Sequence, residues 1–196
     1  MQNSPKKIIE QYQQRLFPFI ANYIENKSLL DVGCGNGFNS YFFNKNFGTE
    51  ITLLDVEDIR DEEVAGFPFI QSSLEKLPFK SSTFDVVFIQ YVLHHLPPEI
   101  NIEEVFYELK RVGNVVIIVE EVFTENTNIN KAIQYDSNMN AILHPNSTNI
   151  LVHKYYSDAE LKALFSTVTL DIVEEKTIFQ GSEENGFLIQ KMYVLK

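Results

Sequence analysis

The chain has 196 residues, with 16 Lys and Arg against 27 Asp and Glu, and so carries a net charge of −11 at pH 7. This length fits one domain, 1–196. The acidic composition argues against a nucleic-acid partner, because binding of nucleic-acid phosphates needs basic side chains, and it favours a small-molecule substrate. No apolar run reaches the roughly 18 residues of a membrane span, and the lone Cys34 predicts a reducing, cytoplasmic setting. The oligomeric state is not predicted.

The predicted secondary structure begins with a helix. The amphipathic stretch after Ser4 and Pro5 predicts a helical cap within residues 1–27, broken or kinked at Pro18, because a proline inside a helix removes a hydrogen bond. Apolar runs predict the first four strands at 29–32, 50–54, 67–71 and 84–89. Apolar residues at helical spacing then predict a helix at Ile102–Val112, and a buried strand follows at 115–119.

The first strand runs into three closely spaced glycines. Residues 29–37 read LLDVGCGNG, with Gly33, Gly35 and Gly37 at alternate positions. Glycines at this spacing do not suit a strand, but they suit a tight turn in which backbone N–H groups approach a ligand with no Cβ in the way. A helical stretch, FNSYFFNKNF, follows. This order predicts a nucleotide-type site at the carboxyl end of the first strand, with an ordinary glycine turn as the alternative.

The glycine spacing selects among cofactors. A dinucleotide site needs Gly-x-Gly-x-x-Gly, but Phe38 stands in place of the third glycine, and the Gly-Lys-Ser/Thr of a phosphate loop is absent. The pattern acid-x-Gly-x-Gly-x-Gly, which starts at Asp31, closely resembles the class I methyltransferases that use S-adenosylmethionine. The resemblance implies that the loop wraps the amino-acid end of this cofactor, and that Asp31 contacts its ammonium directly or through water. Cys34 is interpreted as a small residue that fits the loop.

A second acidic residue follows the next strand. Asp55 ends the apolar run ITLLD and lies eighteen residues past Gly37. Rossmann-like folds place a ribose-binding acid about 20 residues after the glycine motif. Asp55 is therefore predicted to accept hydrogen bonds from the ribose hydroxyls, and Val56 to lie against the adenine. A solvated Asp at the end of a strand is the alternative, since other acids stand nearby.

The third segment narrows the family. Leu-Pro-Phe, Phe-Asp-Val-Val and Leu-His-His-Leu follow one another between residues 77 and 96. Together they closely resemble the small-molecule methyltransferases of the ubiquinone/menaquinone-biosynthesis type. The resemblance implies that Ser73 and Leu74 flank the adenine and that Gln90 lines the cofactor beside the glycine loop. Most relatives have Asp where Ser73 stands, so a weaker or water-mediated adenine contact is expected.

The C-terminal part completes the predicted fold. Ser157 with Glu160 three positions later predicts a capped helix, and two closing strands are predicted at 170–179 and 188–195. By family resemblance the fold is α/β. It is a Rossmann-like, seven-stranded, mostly parallel sheet with an antiparallel last strand and helices on both faces.

The segment 122–156, here called the lid, is predicted to recognise the substrate together with the N-terminal cap. It is long and rich in Asn, and such stretches are usually functional or disordered. Tyr12 is expected either to close over the cofactor or simply to pack. His144 is the predicted catalytic residue, because imidazole can act as a base near neutral pH, while His94 and His95 are given a structural or cofactor-shell role. The histidines lack metal-ligand spacing, so no metal is expected.

The sequence thus predicts a methyltransferase that converts S-adenosyl-L-methionine to S-adenosyl-L-homocysteine and methylates a small molecule. Two alternatives stay open. One is a binding or regulatory subunit with the same fold and no turnover, and the other is a protein methyltransferase. The acceptor and the type of atom that is methylated are not predicted.

Overall fold

The computed structural model describes residues 4–147 and 151–196. The helices are α1 (Pro5–Ile24), α2 (Phe38–Phe47), α3 (Ile102–Val112), α4 (Ile129–Leu143) and α5 (Asp158–Thr167). The strands are β1 (Ser28–Val32), β2 (Glu50–Asp55), β3 (Phe69–Gln71), β4 (Phe84–Gln90), β5 (Gly113–Phe123), β6 (Tyr156–Ser157), β7 (Ile172–Phe179) and β8 (Ile189–Leu195). The predicted cap and lid include residues 1–3 and 148–150, which lie outside the described ranges.

The strands form one sheet in the order β3-β2-β1-β4-β5-β8-β7, with the two-residue β6 beside β5. The pairs from β3 to β5 are parallel, whereas β8 runs antiparallel to both β5 and β7. The predicted mostly parallel sheet with an antiparallel last strand is confirmed, and β6 is the addition that makes eight strands. Because β1 lies between β2 and β4, the chain order reverses at β1, which is where open α/β sheets bind ligands.

Helices cover both faces of the sheet, as predicted. On one face, Ile20 of α1 and Phe43 of α2 are fully buried, and the Phe43 ring meets Phe88 of β4 edge-on at 5.0 Å. On the other face, Phe106 of α3 and Phe165 of α5 meet at 5.4 Å. Successive strand residues point to opposite faces, so a near-continuous apolar strand supplies both halves of the core.

Two details differ from the sequence prediction. Of the predicted break or kink at Pro18, the break is wrong, because α1 continues through this residue as one helix that buries Leu16 and Ile20 on either side of it. The kink stays a prediction. The lid contains a 15-residue helix, α4, that was not predicted. Asn128 caps α4 by accepting a hydrogen bond from the Lys131 amide, but among the helix residues only Ala132 is fully buried. The sequence of α4 is therefore mostly polar and shows little of the apolar periodicity that predicts a helix. Among the described residues, no helix has the length and apolar character needed to cross a membrane.

The predicted cap of α5 gives a test of local stability. The Ser157 hydroxyl oxygen accepts from the Glu160 amide at 3.2 Å, and the Glu160 carboxylate accepts from the Ser157 amide at 2.8 Å. We expect Ser157→Ala to lower the free energy of unfolding by about 1 kcal/mol, because it leaves a helix N–H unpaired. For a chain of this size that lowers Tm by about 2–4 °C. The control is Ser166→Ala on the same helix, whose hydroxyl bonds only the exposed Lys162 carbonyl; equal losses in both variants would contradict the prediction.

Candidate active site

A cavity of about 620 Å³ opens at the carboxyl ends of β1, β2 and β4, beneath α1 and α4. The volume is within the range of small-molecule sites, about 300–1,000 Å³. Eight of the predicted cofactor-binding residues line it, namely Gly33, Cys34, Gly35, Asp55, Val56, Ser73, Leu74 and Gln90. The predicted catalytic residue His144 also lines it. Asp31 and Gly37 are not part of its wall.

The glycine loop, residues 33–37, turns from β1 into α2 through left-handed backbone conformations. Gly35 has a φ of 53°, and a Cβ at this position would lie 2.6 Å from Cε1 of His144. Gly37 precedes α2 with a φ of 79°, and the space beside it is filled by Val64. Both positions therefore require glycine, Gly35 to admit the His144 ring and Gly37 to admit the Val64 side chain.

Asp55 braces the glycine loop from the end of β2. Its Oδ2 accepts from the Gly35 amide at 2.8 Å, and its Oδ1 accepts from the Val56 amide at 2.7 Å and the Glu57 amide at 3.2 Å. Burial raises the pKa of Asp55, against the lowering effect of these bonds. A carboxylate offers about four acceptor positions, so one remains for a ligand hydroxyl.

Asp31 lies behind the loop. Its side chain is buried, and its Oδ2 accepts from the Ser40 hydroxyl of α2 at 2.7 Å. Burial raises the pKa of Asp31 to about 7, with the Ser40 hydrogen bond acting in the opposite direction and the nearby Asp55 charge adding to the rise. Asp31 thus lies outside the cavity wall, and the hydrogen bond ties the acid to the first turn of α2. Its contact with the cofactor's ammonium, direct or through water, stays a prediction.

A polar residue of α1 supports the site and was missed in the sequence. Gln13 is fully buried, and its amide nitrogen donates to Asn39 Oδ1 at 2.6 Å and to Gln90 Oε1 at 3.2 Å. Its own Oε1 is buried without a hydrogen-bond partner among the described residues. The signal was available, because Gln13 interrupts a buried stripe of α1 that includes Ile9 and Leu16. A glutamine at such a position needs polar partners inside.

The lid touches both the cap and the glycine loop. The hydroxyls of Tyr12 on α1 and Tyr135 on α4 lie 2.8 Å apart over the cavity. The side-chain amide nitrogen of Asn36 donates to the Leu143 carbonyl at 2.9 Å. The Ser147 hydroxyl donates to the Glu57 carboxylate at 2.8 Å. In the described part of the lid, α4 and the turn after it thus form a roof on the cofactor side of the cavity.

His144 belongs to this roof. Its ring lies against Gly35, and its Nδ1 is buried with no hydrogen-bond partner in the described ranges. Burial and the charge of His95 lower the pKa of His144 to about 4, so the ring is neutral at pH 7. A neutral imidazole can accept a proton, and the role of His144 in catalysis stays a prediction.

The cavity wall also holds two further histidines and an acid of the lid. His94 Nδ1 lies 2.6 Å from Oε1 of Glu120, and Asp136 Oδ1 lies 3.5 Å from His94 Nε2 and 3.7 Å from His95 Nε2. Burial acts to lower the pKa of His94, but the close carboxylates of Glu120 and Asp136 raise it to about 10. Burial and the His94 charge lower the pKa of His95 to about 4. No carboxylate stands next to this histidine pair in the sequence motif, whereas the fold brings Asp136 close to both rings.

Comparison with known proteins agrees with this architecture. Residues 30–117 match the family model of a methyltransferase domain. The chain is 30% identical over 118 residues to a malonyl-[acyl-carrier protein] O-methyltransferase of Legionella pneumophila, covering 56% of this chain and 40% of that protein. It is also 30% identical over 103 residues to the demethylmenaquinone methyltransferase of Lactococcus lactis, covering 46% and 41%. The chain thus spans about half the length, or less, of the curated relatives it matches.

A solved structure extends the likeness to almost the whole chain. It is Burkholderia thailandensis 1,6-didemethyltoxoflavin-N1-methyltransferase with bound 1,6-didemethyltoxoflavin and S-adenosylhomocysteine. It aligns with a TM-score of 0.65 at 14% identity, and the alignment covers 94% of this chain and 76% of that one. The sequence matches agree with the family resemblance, and the solved structure confirms the fold that this resemblance implies.

Proposed function

We propose that this chain carries a class I methyltransferase domain, which transfers a methyl group from S-adenosylmethionine to a small-molecule acceptor and releases S-adenosyl-L-homocysteine. The observation that carries the proposal is the cavity at the chain reversal beside β1, which joins the glycine loop, the acid that ends β2 and the end of β4 in one wall. We place this reaction in the cytoplasm, as the single free Cys34 favours a reducing setting.

The residues of the cavity fit this cofactor. The glycine loop and the end of β2 line one side of the cavity, and Asp55, which accepts from the Gly35 amide, keeps one acceptor position for a ribose hydroxyl. Val56 is 57% exposed beside this acid and offers an apolar surface to a base. We assign the remaining cofactor contacts to Asp31 through the loop it supports, Gly33, Cys34, Gly37, Ser73, Leu74 and Gln90.

The chain has a limited chemical task in this reaction. S-adenosylmethionine supplies a methyl group on a sulfonium, which is a good leaving group. Methyl transfer therefore depends chiefly on orienting the acceptor and excluding water. Tyr12 and Tyr135 close the roof of the cavity for this purpose. Where an acceptor must lose a proton, the neutral His144 is our candidate base.

Two measurements test the proposal. Isothermal titration of the full chain with S-adenosylmethionine and with S-adenosylhomocysteine should show saturable binding of both, and no binding at high micromolar ligand would overturn it. Incubation with methyl-labelled S-adenosylmethionine and a cell extract should then place the label in extractable small molecules. Label in protein would indicate a protein methyltransferase instead. Cofactor binding without label transfer, together with a stoichiometric protein partner, would indicate a regulatory subunit.

The roof gives a prediction about dynamics. We expect amide hydrogen exchange in α4 to slow when S-adenosylhomocysteine binds, and to slow further with an acceptor, because α4 buries little apolar surface and depends on polar contacts such as Tyr12–Tyr135. Exchange in β5 serves as the internal control and should change little. Equal protection of α4 in the free and bound protein would show a fixed wall instead of a lid.

A further inference from the structure

We propose that His94, His95 and Asp136 form a binding site for a divalent first-row transition-metal cation in the wall of the cavity. His94 and His95 lie in the turn that follows β4, and Asp136 reaches them from α4. One donor atom from each residue can be chosen so that all three lie within 4.8 Å of one another. Two imidazoles and one carboxylate suit Fe²⁺, Mn²⁺, Co²⁺ or Zn²⁺.

The separations of the donor atoms suit a metal. Asp136 Oδ1 lies 3.5 Å from His94 Nε2 and 3.7 Å from His95 Nε2. Ligands bonded to zinc at about 2.0–2.1 Å in a tetrahedral site lie about 3.3 Å apart. The two separations between Asp136 and the histidines therefore need to contract by only a few tenths of an ångström, and the donor atoms of the two histidines start within 4.8 Å of each other. Three protein ligands also leave at least one coordination position open toward the cavity.

The neighbouring contacts orient all three ligands toward a common point. His94 Nδ1 is held by the Glu120 carboxylate at 2.6 Å, and His95 Nδ1 donates to the Leu151 carbonyl at 2.9 Å. Each ring thus has its other nitrogen, Nε2, directed at Asp136. The side-chain amide nitrogen of Asn140 donates to Asp136 Oδ2 at 2.8 Å, so the other carboxylate oxygen, Oδ1, faces the histidines. Metal-binding histidines have such partners on the nitrogen that does not face the metal.

The surroundings of a buried imidazole nitrogen also point to a ligand. His94 is 99% buried, and in the described structure its Nε2 makes no hydrogen bond and has only the long 3.5 Å contact with Asp136 Oδ1. Buried polar atoms without partners are rare and mark sites where a water or an ion belongs. The surroundings favour a cation, because Glu120 and Glu121 are buried within the same network as Asp136. An imidazolium of His94 held between Glu120 and Asp136 is the arrangement without metal.

A cation at this position also bears on the proposed function. This part of the inference rests on the proposed function. An acceptor oxygen that takes the open coordination position would lose its proton more readily, since a bound metal lowers the pKa of a coordinated hydroxyl. The acceptor class would then be a metal-chelating hydroxyl or enol compound. Binding of the metal itself does not depend on methyl transfer.

The test is metal binding by the full-length, tag-free chain after treatment with a chelator. Titration with Co²⁺ should give visible d–d absorption that saturates at one cation per chain, and Zn²⁺ should displace it. Asp136→Asn and His95→Gln should each weaken binding at least about tenfold. The matched control is His153→Gln, an exposed histidine at the same cavity, which should bind Co²⁺ like the unmodified chain.

Three outcomes would overturn the site. They are no saturable absorption, equal binding by Asp136→Asn and the unmodified chain, or loss of binding in His153→Gln. Circular dichroism of each variant establishes that it is folded. Titration of the same preparations with S-adenosylhomocysteine separates the two proposals: a chain that binds S-adenosylhomocysteine but no Co²⁺ overturns only the metal site, and a chain that binds Co²⁺ but no S-adenosylhomocysteine counts against the proposed function alone.

Discussion

Replacing Gly35 with valine should weaken binding of S-adenosylmethionine and S-adenosylhomocysteine at least about 100-fold, which corresponds to about 2.7 kcal/mol. The φ of 53° at Gly35 is unfavourable for any residue with a Cβ, and most for a β-branched one. The added Cβ would also lie 2.6 Å from Cε1 of His144, so the imidazole ring would have to shift within the wall of the cofactor cavity. Strain in the loop and displacement of the ring act in the same direction.

The chain offers a matched glycine as the control. At Gly66 a Cβ would have no atom within 4 Å and the φ is not left-handed, so Gly66→Val should leave cofactor affinity unchanged. Titration calorimetry measures both affinities, and circular dichroism shows whether Gly35→Val is folded. A folded Gly35→Val that binds within about threefold of the original chain would show that the cofactor does not pass over the loop.

Asp31→Asn should change stability and binding in opposite directions. Asp31 is buried with no basic partner among the described residues, and burial raises its pKa from 3.8 to about 7. Asparagine keeps an oxygen for the 2.7 Å bond from Ser40 but carries no charge. We expect the variant to unfold at higher temperature at pH 8 and to bind S-adenosylmethionine at least about tenfold more weakly, because the cofactor's ammonium loses a nearby carboxylate.

The expected gain in stability of Asp31→Asn follows from the direction in which the pKa of Asp31 is shifted. A carboxyl whose pKa is higher in the folded state costs stability in its ionised form, fully above about pH 7, and this cost disappears as the pH falls toward 3.8. One pKa unit corresponds to about 1.4 kcal/mol, so about 4 kcal/mol is the upper limit of the gain.

Thermal unfolding of Asp31→Asn and the original chain at pH 8 and pH 5 measures this effect, and the gain should be larger at pH 8. Ser40→Ala serves as the control, since it removes the same hydrogen bond without removing the charge and should destabilise the chain. A gain that is independent of pH would show that ionisation of Asp31 is not its cause.

The elements that position the cofactor were predictable because their signals are local. A strand, a glycine loop and an acid at the end of the next strand follow one another within residues 29–55, and parallel pairing brings them to one edge of the sheet. The Ser157 cap was predictable for the same reason. Each of these features depends on residues a few positions apart or on regular strand pairing.

The other half of the site depends on contacts between distant parts of the chain. Tyr12 and Tyr135 are 123 residues apart, and Asp136 meets His94 from a helix whose polar sequence gave no clear period. Nothing in the spacing of these residues predicts that α4 folds back over the sheet. Gln13 alone left a local signal, as a polar residue in a buried helical stripe.

The contacts between the roof and the glycine loop have a consequence for the catalytic cycle. Because Asn36 holds the Leu143 carbonyl and Glu57 holds Ser147, the same roof lies over the proposed positions of both ligands. We expect this roof to open whenever the cofactor is exchanged. On the proposed function, each turnover then needs one opening to release the methylated product and the spent cofactor. The rate of that opening sets an upper limit on kcat, so turnover would respond to solvent viscosity more than to the leaving ability of the sulfonium.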